Sequence, residues 1–207
     1  MKLEPEKIKT IIFDWGGVCC QEGEPFASET LQRVLGMNPN QIADQVRDIY
    51  NDYYLGKYDR DSFWQAIMDK FGLHETAEIN PTALSTAYLN SYKIFTNILE
   101  VILKLQKKYQ VGLLSNLTPE MRDKIKEQHQ LKKIFPTEVY SCDLDVALMK
   151  PDQRIYSIIL ERMKTAPDEC LFIDNAPKNL IPAEDLGMQT LLFISPEQFL
   201  EEIKILL

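Results

Sequence analysis

The chain has 207 residues, 45% of them hydrophobic and 26% charged, proportions of an ordinary globular protein that exclude disordered, collagen-like and coiled-coil classes. Its 23 Lys and Arg against 31 Asp and Glu give a net charge of −8 with no dense basic run, which argues against nucleic acid as a partner. No apolar run approaches the roughly 20 residues of a membrane helix, and MKLEPEKIKT carries acids where a signal peptide would be basic and then apolar, so a cytoplasmic protein with no membrane association is expected.

The segment Lys9–Trp15 is apolar and β-branched, the composition of a buried parallel strand. It runs Ile11-Ile12-Phe13-Asp14-Trp15-Gly16-Gly17-Val18. An aspartate closing such a strand sits at the carboxyl edge, where doubly wound sheets bind ligands, and the glycines let backbone approach whatever it holds. The four cysteines, Cys19, Cys20, Cys142 and Cys170, form no C-x-x-C pair and read as reduced thiols.

From Gln21 to Ser91 no convincing strand is present. Val46, Ile49, Tyr50 and Tyr53 follow helical spacing, as do Phe63, Ile67 and Phe71 after the capping-type stretch Asp59-Arg60-Asp61-Ser62. Gly36-Met37-Asn38-Pro39, Gly72 and Asn80-Pro81 mark turns. Far more chain lies between the first strand and the next than a βαβ crossover needs. Residues 21–91 are therefore expected to form a small α-helical cap, inserted into an α/β core made of residues 1–20 and 92–207.

Beyond the insert, Ile98, Val101, Ile102 and Leu105 mark a helix before the strand Val111–Ser115. That strand stops at Ser115-Asn116, a hydroxyl and an amide just ahead of Thr118-Pro119-Glu120, which reads as N-cap, proline and first-turn acid. This is a ready anion site. A strand over Glu138–Ser141 follows, then Lys150-Pro151-Asp152 before a helix marked by Ile155, Ile158, Ile159 and Met163. The strand Cys170–Asp174 ends at Asp174-Asn175, and Thr190–Ile194 precedes Ser195-Pro196-Glu197, which opens a closing amphipathic helix. Strand followed by capped helix, repeated, means a doubly wound parallel α/β sheet. A carboxylate, a hydroxyl, an ammonium and a second carboxylate converge on its carboxyl edge.

The motifs FDWGGV, LLSN, the lysine of MKPDQRIY, and FIDNAPKN occur in an order and spacing that resemble the haloacid dehalogenase superfamily, in its phosphatase branch with a helical cap after the first motif. The Asp-x-Gly-x-Val motif and the stretch Gly56–Trp64 are similar to bacterial sugar-phosphate phosphatases and to the N-terminal domain of soluble epoxide hydrolases. The resemblance implies a Rossmann-like core and a small phosphorylated metabolite, such as a sugar phosphate, as substrate. Asp14 would be the nucleophile that forms an aspartyl-phosphate. Mg²⁺ would be held by Asp14, the Gly16 carbonyl, Asp174 and Asn175, oxygen donors of the kind that ion prefers. Ser115, Asn116 and Lys150 would bind the phosphate, with Lys150 also neutralising charge during transfer.

Two positions depart from the family pattern. Gly16 stands where a general acid–base aspartate is usual, a group worth about 10²–10⁴ in rate, so slow turnover is expected, least so for good leaving groups. Asn175 replaces a frequent second acid and should weaken Mg²⁺ binding. Glu22, Glu24 and His74 are the candidates to replace the missing acid. A degenerate binding protein and a metal-independent haloacid-type dehalogenase, with Arg47 as halide partner, are the competing readings. Tyr50, Tyr53, Tyr54, Phe63 and Trp64 either line a substrate pocket or form core. Trp15 either filters what enters the site or packs, and His129 reads as an exposed helix end. Oligomeric state is left open.

Overall fold

The computed structural model describes residues 3–207. In chain order its elements are β1 (Thr10–Phe13), β2 (Cys20–Gln21), α1 (Glu29–Leu35), α2 (Pro39–Gln45), α3 (Arg47–Tyr54), α4 (Arg60–Lys70), α5 (Pro81–Leu89), β3 (Lys93–Ile94), α6 (Thr96–Leu105), β4 (Gln110–Ser115), α7 (Pro119–His129), α8 (Leu131–Ile134), β5 (Thr137–Tyr140), α9 (Gln153–Met163), β6 (Cys170–Asp174), α10 (Pro177–Asp185), β7 (Gln189–Leu192) and α11 (Pro196–Glu202).

Five strands form one sheet in the order β5-β4-β1-β6-β7, and every pairing in it is parallel. Alternation along β1 divides the core. Ile11 and Phe13 face one side with Leu113, Ile173, Ile98, Ile102 and Phe199, whereas Ile12 faces the other with Leu114, Phe172, Ile155, Ile159 and Ala183. The sheet is thus covered on both faces, which is why its strands read as continuous apolar runs. Because β1 lies between β4 and β6, the chain reverses its winding beside β1, and the carboxyl ends of these three strands meet at that switch point.

The five helices α1–α5 lie between β2 and β3, whose short antiparallel pairing joins Cys20 to Ile94 and Gln21 to Lys93 at the base of the insertion. Gln21 is the one residue of the expected strand-free stretch that enters a strand. Side-chain caps start four of these helices, from Ser28, Asn38, Asp59 and Asn80. Each such cap is worth about 1 kcal/mol. The helix expected over Val46–Tyr53 is α3, and Val46 is the residue at which α2 ends and α3 begins, its backbone outside helical values at φ −120° and ψ 21°. Tyr53 and Phe63 stack with ring centres 4.0 Å apart, and Trp64 packs edge-on to Phe63. These aromatics are core, continuous with the face of the sheet that carries Phe13. No helix among the described residues is long and apolar enough to cross a membrane.

Candidate active site

Asp14 follows the last residue of β1, and its amide still bonds the Ile173 carbonyl at 2.9 Å, so the ladder holds its backbone rigidly. Asp14 is 7% exposed. Its Oδ1 accepts from the Trp15 amide at 2.7 Å and the Ser115 hydroxyl at 2.7 Å, and lies 2.9 Å from Lys150 Nζ. Among the described residues no hydrogen bond or ion pair reaches Oδ2. One carboxylate oxygen is therefore pinned by three donors while the other is left free.

Lys150 is 4% exposed and its ammonium bridges two carboxylates, lying 2.6 Å from Asp174 Oδ2 as well as 2.9 Å from Asp14. Burial disfavours its charge, but Asp14 and Asp174 outweigh that and hold its pKa above the ordinary lysine value. Asp14 is pushed up to about 6, first by burial and then by Asp174, against the pull of Lys150 and Ser115. Asn116 fixes the main chain at the lysine. Its amide donates to the Lys150 carbonyl at 3.0 Å and accepts from the Lys150 N–H at 2.9 Å.

Asp174, at the end of β6, is fully buried. The Ala176 amide donates to its Oδ1 at 2.8 Å, and Asn179 Nδ2 reaches both oxygens at 3.1 Å. Asn179 is in turn held through its backbone carbonyl by the Tyr156 hydroxyl at 2.7 Å. Sequence reasoning missed Asn179, although its place one turn into the helix after Asp174 was a usable signal. Gly17 has φ +79°, and a Cβ there would stand 2.2 Å from Asn175 Nδ2, so only glycine lets this loop close on Asn175.

These groups open into a cleft of about 340 Å³ lined by Asp14, Gly16, Asn116, Lys150 and Asn175 and, on the insertion side, by Tyr54 and Tyr88. Glu22 also lines it. A Cβ built on Gly16 would have the Glu22 carboxyl carbon 3.6 Å away, so this carboxyl is the one nearest the position where an acid was expected. Its pKa is raised, chiefly by desolvation. Glu24, His74 and Arg47 are exposed and line no part of this cleft, and Arg47 instead pairs with Asp44 at 2.8 Å. Of the five aromatics considered for a pocket wall, only Tyr54 reaches the cleft. His129 is not an exposed helix end. It is half-buried, with Nε2 2.9 Å from the Tyr92 hydroxyl and its ring 6.0 Å from that of Trp15. Trp15 is 1% exposed.

Of the four residues expected to hold a metal through hard oxygens, Asp14 with its free Oδ2, Gly16 and Asn175 line the cleft, whereas Asp174 is fully buried with both oxygens already held by Lys150, Ala176 and Asn179. With only two carboxylates, such a set fits an ion that keeps several waters, as Mg²⁺ does. It lacks the sulfur and imidazole donors that would favour zinc.

The family model described as haloacid dehalogenase-like hydrolase matches residues 8–187. D-ribitol-5-phosphate phosphatase of Bacteroides thetaiotaomicron is 26% identical over 191 residues, 88% of this chain and 90% of that protein. Bifunctional epoxide hydrolase 2 of Sus scrofa is 30% identical over 121 residues, 56% of this chain, and that of Mus musculus is 35% identical over 75 residues, 36% of this chain. This chain spans only 21% and 13% of those two proteins. Among solved structures, a haloacid dehalogenase family enzyme from Bacteroides thetaiotaomicron, in complex with magnesium and inorganic phosphate, superimposes with a TM-score of 0.77 at 23% identity, over 89% of this chain and 93% of that one.

Proposed function

We propose that this chain, which belongs to the haloacid dehalogenase-like hydrolase family, is a Mg²⁺-dependent phosphatase that cleaves a small phosphorylated metabolite through Asp14. The observation that carries the reading is the asymmetry of the Asp14 carboxylate, with Oδ1 pinned by Trp15, Ser115 and Lys150 and Oδ2 free to attack. In the first step Oδ2 forms a bond to phosphorus and the bond from phosphorus to the substrate oxygen breaks, the departing alkoxide taking its proton from Glu22, the carboxyl nearest Gly16. In the second, water attacks the aspartyl-phosphate and gives a proton back to Glu22, releasing phosphate and restoring the Asp14 carboxylate. Lys150 and the Asn116 backbone N–H bind the phosphoryl oxygens and offset their charge, and the Ser115 hydroxyl joins them by turning its single proton from Asp14 Oδ1 to the phosphoryl group. Asp14, the Gly16 carbonyl, Asp174 and Asn175 hold the Mg²⁺, which when bound supplies further positive charge beside the phosphoryl group. Asn179 and the Ala176 amide orient Asp174 for that work.

The division into a core of residues 1–20 and 92–207 and a cap of residues 21–91 belongs to the same proposal, with the cap supplying Tyr54 and Tyr88 to the substrate side of the cleft. The relative that acts on ribitol 5-phosphate, and a cleft volume suited to a sugar-sized ligand, support a polyol or sugar phosphate as substrate. A cytoplasmic setting agrees with four free cysteines. The reading is tested by phosphate release from a panel of sugar, polyol and acyl phosphates with Mg²⁺ or EDTA. Metal-dependent release lost in Asp14→Asn supports it. Halide release from 2-haloacids that ignores EDTA would replace it with the dehalogenase reading, and no turnover of either class would leave a binding protein.

A further inference from the structure

Glu120 occupies the first turn of α7, as Glu197 does in α11, and both follow a capping hydroxyl and a proline. An acid there favours the helix N-terminus whether or not it is buried. Glu197 is exposed, whereas Glu120 is 8% exposed and enclosed by the insertion. Its Oε1 accepts from Trp64 Nε1 at 3.1 Å on α4, and its Oε2 accepts from the Ser85 hydroxyl at 2.5 Å on α5. One turn further along α5, the Tyr88 hydroxyl lies 3.2 Å from Oγ1 of Thr118, the N-cap of α7. Residues three apart share a helix face, so Ser85 and Tyr88 set α5 on the start of α7 at two points. Tyr88 lines the cleft, and α7 begins just after the turn of Ser115 and Asn116. A buried carboxylate costs free energy that an apolar side chain of similar volume would avoid, so plain packing does not call for one here.

We propose that Glu120 is a positioning residue that, through Trp64 and Ser85, holds α5 in the register that sets Tyr88 against the substrate. The inference rests on the phosphatase reading for its consequence, but its structural half is tested without turnover. Glu120→Leu keeps the volume and removes both acceptors. Glu120→Gln keeps an acceptor for Trp64 and a partner for Ser85, whose hydroxyl can also accept. Hydrogen exchange of the full chain is expected to show amides of 81–89 opening at least about tenfold faster in Glu120→Leu, at the parent rate in Glu120→Gln, and with no change over 153–163 in either. With the Mg²⁺-loaded protein and D-ribitol 5-phosphate as probe, Glu120→Leu should raise KM about tenfold while kcat stays within about threefold, and Glu120→Gln should restore KM. Unchanged exchange over 81–89, an unchanged KM, or a Glu120→Gln as impaired as Glu120→Leu would overturn the proposal. Should Glu120→Leu fail to fold, Ser85→Ala removes one of the two bonds and carries the same readouts. A parent protein that hydrolyses no phosphate ester defeats the phosphatase reading, and the exchange data then decide on their own whether Glu120 holds α5.

Discussion

Replacing Asp14 by asparagine should make the metal-free protein more stable at neutral pH. The Asp14 carboxyl is displaced from 3.8 to about 6, because burial and Asp174 outweigh Lys150 and Ser115. A group whose folded pKa is raised contributes stability that is fully present below its unfolded pKa and is lost as pH rises through the folded one. At about 1.4 kcal/mol for each pKa unit, the charge on Asp14 costs the folded state about 3 kcal/mol above pH 7. Asparagine has no charge to bury and leaves Lys150 paired with Asp174 at 2.6 Å. In EDTA at pH 7.5, Asp14→Asn should exceed the parent by about 3 kcal/mol, or roughly 6–12 °C in Tm for a chain of this size. At pH 5 the gap should shrink to about half, since the parent carboxyl is then mostly protonated. Urea unfolding followed by tryptophan fluorescence at both pH values measures it. A variant no more stable than the parent at pH 7.5, or a gap that does not change with pH, would show that the buried Asp14 charge carries no such cost.

The opposite sign is expected for Lys150→Met, which leaves Asp14 and Asp174 facing each other without their buried cation. Urea unfolding at pH 7.5 should show a loss of about 3–5 kcal/mol. Gly17→Ala forces a left-handed alanine whose Cβ would lie 2.2 Å from Asn175 Nδ2, so Asn175 must move and Mg²⁺ affinity by titration calorimetry should fall. Gly16 has room for a side chain, with Glu22 as its nearest neighbour at 3.5 Å. Gly16→Asp should therefore raise kcat on alkyl phosphates by up to about 10² while changing acyl phosphate hydrolysis little, and Glu22→Gln should lower kcat on alkyl phosphates preferentially.

Much of the site is legible in the sequence because strand ends are. An apolar run that stops at an acid places Asp14 and Asp174 on the carboxyl edge whatever the rest of the chain does, and the same holds for Ser115. Lys150 is legible only as a motif lysine. Its burial depends on a loop held by the Asn116 amide, a long-range contact that no local pattern encodes. The identical signatures of Thr118-Pro119-Glu120 and Ser195-Pro196-Glu197 make the limit plain, since the insertion covers the first acid and solvent the second. Tyr53 and Tyr54 differ in the same way. Adjacent on α3, one stacks into the core and the other reaches the cleft, and only the packing of α3 against α4 decides which. The half-burial of His129 likewise follows from its long-range contacts with Trp15 and Tyr92, not from helical periodicity.

In the proposed reaction Asp14 carries the phosphoryl group. The direct measurement is rapid acid quench of the Mg²⁺-loaded protein with a substrate from the panel, followed by mass spectrometry of the peptide containing Asp14. With Gly16 in place of the usual acid, breakdown should be slow enough for one added HPO₃ to accumulate on that peptide, to be lost on chasing with substrate-free buffer, and to be absent from Asp14→Asn. Steady phosphate release from the parent that persists in Asp14→Asn, with that peptide unmodified at every quench time, would show that Asp14 does not carry the phosphoryl group.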